Sequence, residues 1–126
     1  MPESYKDLIA WQKAMVFARD AYRATANFPK EEIFGLTPQI WRAAVSVPSN
    51  VAEGKGRYSP RDFQHFLKQA RGSLNEVETQ LLLAQELDYL QKNQAAALLR
   101  QCEELGRILN GNGLISSLRK AEGPKE

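Results

Sequence analysis

Residues 59–87 read SPRDFQHFLKQARGSLNEVETQLLLAQEL. Within this stretch Phe63, Phe66, Leu67, Ala70, Leu74, Val77, Leu81, Ala84 and Leu87 recur at steps of three and four, the period of one helical face, over roughly seven turns. Ser59 and Pro60 open the helix, a hydroxyl N-cap followed by a proline at N1, where its missing N–H is no loss. This is the strongest periodic signal in the chain. Gly72 and Ser73 interrupt its middle with small residues, and Leu82 and Leu83 lie off the main stripe. A second apolar face on a long helix implies that something besides the domain's own core is covered there.

Working outward, Gly54-Lys55-Gly56-Arg57-Tyr58 is a tight turn that leads back into a second helix. Thr37-Pro38 gives that helix the same N-cap and N1 signature, and Ile40, Trp41, Ala44, Val45, Val47 and Val51 are apolar around more than one stripe. Pro48 lies inside it, where it removes the hydrogen bond to the Ala44 carbonyl and costs ~3 kcal/mol unless the fold compensates. The expectation is a helix kinked at Pro48 but continuous to about Gly54, with Ser46, Ser49 and Asn50 satisfying the loosened backbone. Upstream, Leu8, Trp11, Met15, Ala18, Tyr22 and Thr25 predict a first helix over 7–26, capped by Asp7 and closed by Asn27-Phe28-Pro29. A loop through 30–36 joins the two. Downstream, Asn93 is the expected cap of a fourth helix carrying Ala96, Leu99, Cys102, Leu105 and Leu109, with Ile115 and Leu118 continuing the spacing. A break is expected near Asn110–Gly113, and residues 121–126 read as a polar, flexible tail. Short connections force successive helices to alternate in direction. The predicted fold is all-α, a single antiparallel up-down-up-down four-helix bundle over residues 1–120.

Composition narrows the function. With 126 residues, 43% of them hydrophobic and 25% charged, the chain makes one ordinary globular core. One cysteine excludes an internal disulfide and fits a reducing compartment. No run approaches the ~20 apolar residues that would span a bilayer, and no secretory segment opens the chain, so a cytoplasmic protein without a membrane partner is expected. The net charge is only +2, but it is segregated. Arg42, Lys55, Arg57, Arg61, Lys68 and Arg71 precede Glu76, Glu78, Glu86 and Asp88, a pattern that serves subunit docking or a basic binding surface.

Catalytic chemistry is poorly supplied. Carboxylate-bridged metal sites in bundles need Glu-x-x-His on two helices, and the one histidine, His65, is preceded only by Asp62 at that spacing. Cys102 falls on an apolar stripe and reads as a small core residue, not a nucleophile. Gly54-Lys55-Gly56-Arg57 has neither the spacing nor the preceding strand of a phosphate loop. No catalytic residue, metal or cofactor is expected. Two other groups stand out. Asn50 with Glu53, and Ser73 with Glu76, share three-residue spacings on neighbouring helices, which suits either a ligand constellation or a hydrogen-bond network that fixes helix register. Lys55, Arg57, Arg61, Lys68 and Arg71, with Tyr58 among them, suit either a solvated face or a surface that holds phosphates and stacks a base.

The stretch from Phe34 to Gly54, FGLTPQIWRAAVSVPSNVAEG, resembles the signature of the bacterial four-helix-bundle proteins encoded within intervening sequences of large-subunit ribosomal RNA genes. Gly56-Arg57, Phe63, Phe66-Leu67, Ala70, Gly72-Ser73-Leu74, Glu76 and Glu78-Thr79-Gln80-Leu81 continue the likeness, as do Tyr5-Lys6-Asp7-Leu8, Trp11, Phe28-Pro29 and Glu32. The resemblance implies an up-down bundle, a second helix that runs past Pro48, and assembly into a homopentamer around a central opening. It also relates the chain to pentameric accessory proteins of diversity-generating retroelements, which bind nucleic acid and a reverse transcriptase. The family is not one of established enzymes. Trp41 stands where the family often carries a charged or polar residue, which marks it, with Leu82 and Leu83, as an expected subunit contact. The function expected is that of a homo-oligomer, a pentamer by resemblance, that binds RNA or DNA through its basic residues; the alternative is a scaffold for a protein partner.

Overall fold

The computed structural model describes residues 4–110, and among these it holds four α-helices, three single-turn 3₁₀ helices and no strand. The α-helices are α1 (Ile9–Ala24), α2 (Leu36–Lys55), α3 (Pro60–Glu86) and α4 (Lys92–Leu109). Gly54 of α2 packs on Phe63 and Phe66 of α3, and Ser46 meets Ser73, so those helices run antiparallel. Lys13 pairs with Glu104 and Asp20 with Gln101, which sets α1 antiparallel to α4. Tyr22 stacks on Trp41 across α1 and α2. The result is the expected up-down bundle, with α2 unbroken through Pro48.

The core stripe of α3 is the one read from sequence. Phe63, Leu67, Ala70, Leu74, Val77, Leu81 and Ala84 are all buried, while Phe66 is half-buried and Leu87 lies exposed just past the helix end. The stripe of α1 is different. Its buried residues are Ala10, Ala14, Phe17, Ala18, Ala21 and Ala24, whereas Met15 and Tyr22 are exposed and Trp11 is only half-buried. Alanines let α1 approach its neighbours closely, and the larger side chains are displaced to the flank that borders α2. In α4 the buried face is Ala95, Leu98, Cys102, Leu105 and Leu109, one residue out of phase with the expected Ala96 and Leu99 in its first half.

The helix ends also depart from expectation. Asp7 belongs to a 3₁₀ turn, Tyr5–Asp7, whose cap is Ser4, and α1 starts at Ile9 without a side-chain cap. α2 starts at Leu36, so Thr37 and Pro38 lie inside its first turn and Thr37 is buried. Its cap comes from elsewhere: Glu32 Oε1 accepts from the Leu36 N–H at 2.8 Å, and Tyr89 Oη donates to Glu32 Oε2 at 2.9 Å. The two hydrogen bonds, Leu36 first, hold the Glu32 carboxyl below the usual carboxylate range; the bond to Glu32 in turn raises the Tyr89 phenol. α4 starts at Lys92, and Asn93 accepts only from the adjacent Gln94 N–H. Ser59 caps α3 as read, accepting from the Asp62 N–H at 3.0 Å. At its other end Asp88 adopts a left-handed φ of 62°, and the Tyr89 N–H bonds back to the Ala84 carbonyl, the six-to-one bond of a Schellman cap. α4 ends at Leu109 with Asn110 as its extended C-cap, at the start of the break expected near Asn110–Gly113; the rest of that segment, the expected continuation through Ile115 and Leu118 and the tail at 121–126 lie outside the described residues.

Candidate nucleic-acid interface

The turn between α2 and α3 is shaped by contact. A β-carbon at Gly54 would lie 2.7 Å from Phe66 Cβ and 2.8 Å from Phe63 Cδ1, so only glycine fits as the chain enters the turn. Beyond it Arg57 bonds Glu53 at 2.7 Å, and its guanidinium lies 4.8 Å from the centroid of the Phe66 ring. Glu53, Arg57 and Phe66 therefore form one closed unit, and the charge of Arg57 is compensated at short range. Arg57 also precedes α3, so it does not share a helical face with Arg61, Lys68 and Arg71.

The remaining basic candidates are placed differently. Arg61, Lys68 and Arg71 are exposed on the side of α3 opposite its buried stripe, and Lys55 is half-buried at the end of α2. Four ion pairs form among the described residues, Lys13–Glu104, Arg19–Asp20, Arg57–Glu53 and Arg107–Glu103, and none uses a charge of α3. Tyr58 sits in the turn fully exposed, with a relative accessibility of 106%. Three cations without a carboxylate thus follow a free aromatic ring along one face.

The polar set divides. Asn50 and Ser73 come together through Ser46, whose hydroxyl lies 2.8 Å from the Ser73 hydroxyl and 3.0 Å from Asn50 Nδ2. Asn50 Nδ2 also donates to the Ser46 carbonyl at 2.8 Å. Its side chain therefore bonds the backbone at the Ser46 carbonyl, two residues before Pro48, and not at the Ala44 carbonyl that Pro48 frees. Glu53 turns away to Arg57, and Glu76 accepts a long 3.4 Å bond from Gln80 Nε2. Ser46 is the joint that ties α2 to α3; its four-residue spacing from Asn50 was the signal for it. Gln80 is buried, and its Oε1 has no hydrogen-bond partner among the described residues.

Trp41 is held within the chain. Its indole stacks on Tyr22 at 4.9 Å and donates from Nε1 to Thr25 Oγ1 at 2.8 Å, leaving roughly a third of the residue exposed. Leu82 and Leu83 lie on the outer face of α3, 45% and 49% exposed. The grooves flanking α1 are shallow. One, of about 420 Å³, lies against α4 beside Ile9, Val16 and Leu105, and another, of about 460 Å³, lies against α2 beside Trp11, Met15 and Val45. The first carries the Lys13–Glu104 ion pair at its rim, and the second is bordered by Arg19. Burial, and then the charge of Glu78, pushes the Cys102 thiol up to about 12, so it stays protonated at neutral pH. Among the described residues no three metal-ligating side chains come together, and no helix is long and apolar enough to cross a membrane.

The comparisons with known proteins bear on this arrangement. The family model of the 23S rRNA-intervening sequence protein matches residues 6–111, which takes in all four helices and the basic face of α3. The chain belongs to that family. A solved structure from the S23 ribosomal protein family, a protein of unknown function from Bacteroides thetaiotaomicron, is similar at 26% identity with a TM-score of 0.71. That match covers 80% of this chain and 94% of the other. A search of curated proteins finds no match. The sequence resemblance to intervening-sequence proteins and the all-helical bundle are thus both established, and the family name itself carries no activity.

Proposed function

We propose that this intervening-sequence protein is a non-enzymatic, cytoplasmic homo-oligomer, a ring of five copies, that binds RNA or DNA through the outer face of α3 and the turn before it. The observation that carries the reading is the set Arg61, Lys68 and Arg71, exposed and without a carboxylate partner among the described residues, headed by the fully exposed Tyr58. Cations presented this way hold phosphates and release counterions, and an exposed ring stacks on a base. Lys55 extends the surface, and Arg57, already bound to Glu53, orients the turn. One copy offers few charges; repetition around an assembly multiplies them without any new contact.

The test is retention of structured RNA and of single-stranded DNA over a salt series. Binding that weakens steeply as salt rises, and that Lys68→Glu lowers, supports the reading. No retention even at low salt overturns it. The half-exposed Leu82 and Leu83 favour a second reading, a scaffold for a protein partner. Capture of a defined protein that survives nuclease and high salt would replace the first reading with this one.

A further inference from the structure

The outer face of α3 has a pattern that a basic surface alone does not require. Arg61, Lys68 and Arg71 occupy its first half, and Glu76 and Glu86 its second, all exposed. Gly72 lies between them, where an added β-carbon would meet nothing within 4 Å. A glycine inside a helix weakens it relative to alanine, and none of the described residues comes near enough to need the space. Next to the acidic half, Leu82 and Leu83 stay half-exposed.

We infer that this face pairs with the same face of a second copy, the two α3 helices running antiparallel about a two-fold axis between Ser73 and Leu74. In that register Arg71 lies opposite Glu76 of the second copy. Arg61, ten residues before Arg71, then lies opposite Glu86, ten residues after Glu76. Each pair occurs twice, because a two-fold contact is self-complementary. Gly72 faces Asn75 at the crossing, where the absent side chain lets the backbones approach, and Leu82 and Leu83 cover His65 and Gln64. Two turns further along, the register keeps only Lys68 against Glu86 and sets Glu76 against Glu78, and a parallel arrangement in register sets like charge on like. Charge therefore selects both the direction and the register.

The inference rests on the assembly reading above and adds a regulation to it. A two-fold contact cannot close a ring of five, so it joins copies of different rings. Arginines that bind a neighbouring carboxylate are not free for phosphates, so pairing and nucleic acid compete for one face.

The experiment is sedimentation of the full chain at low salt and one protein concentration, comparing wild type with Arg71→Glu, Glu76→Arg, the double variant and Gly72→Gln. Each single variant is expected to halve the mass of the assembly, and the double variant to restore it, because the opposed charges are exchanged together. Gly72→Gln is expected to halve the mass while its melting temperature holds or rises, which separates lost pairing from lost folding. Single variants that leave the mass unchanged overturn the inference and leave the assembly reading standing. So does a double variant that stays at half mass. A wild-type chain that sediments as a monomer overturns both.

Discussion

Two glycines, Gly54 and Gly72, lie on opposite sides of the α2–α3 pair. Gly54 is pressed against Phe63 and Phe66, and Gly72 faces open space. The inner side of this helix pair is explained by the chain itself: ring packing at Gly54, the Ser46–Ser73 hydrogen bond, and Asn50 closing on Ser46. The outer side is not. Its charges have no partners among the described residues, two of its leucines are half-exposed, and its glycine touches nothing. The lesson is that the same residue type marks a finished contact on one side and an unfinished one on the other.

Filling each glycine in turn separates the two sides most strongly. Gly54→Ala drives a methyl into two phenylalanines and should cost ~2–3 kcal/mol of unfolding free energy, read from a denaturant titration. A loss under a few tenths would mean that the turn relaxes freely and the inner side is not as tightly determined as its distances imply. Gln80→Met removes the buried amide oxygen that lacks a partner, at the cost of only a long bond to Glu76, and should stabilise the fold by about 1 kcal/mol. Gly72→Ala should stabilise by up to ~1 kcal/mol, since the methyl meets nothing and the helix gains propensity. Opposite signs at the two glycines are the signature of the contrast.

A smaller effect appears in pH. The Glu32 carboxyl is lowered by its hydrogen bonds, so its stabilising contribution is full above the ordinary carboxylate range and fades as pH falls through the lowered value. The Tyr89 phenol is raised by its bond to Glu32, so its contribution is full below the ordinary phenol range near ~10 and fades as pH rises through the raised value. Tyr89→Phe should remove the alkaline loss and shrink the acid one, measured as unfolding midpoints across pH. The outer face of α3 should be indifferent to this change.

How much of this was legible in the sequence follows from side-chain size and from distance along the chain. The α3 stripe could be read because large apolar residues mark it without competition. In α1 the core is built of small alanines around Phe17, so Trp11, Met15 and Tyr22 drew the stripe toward the flank. The consecutive apolar residues from Ala95 to Leu99 leave the phase of α4 undetermined until its neighbours fix it. The start of α2 was misplaced because its cap, Glu32, is itself held by Tyr89, fifty-seven residues away. For the site, spacing grouped the basic residues and singled out Asn50 and Ser73, which meet only through Ser46. It could not tell that Arg57 would close on Glu53, or that Glu76 would turn to Gln80, because spacing within a helix does not say which neighbour it meets.

On the proposed function, the outer face of α3 is completed from outside the chain, in an assembly of identical copies. Sedimentation of the 14.2 kDa chain at low salt tests it most directly. The expected result is a single species at a multiple of that mass, reduced when Arg71 or Glu76 is reversed. A species at 14.2 kDa over the whole concentration range would contradict it.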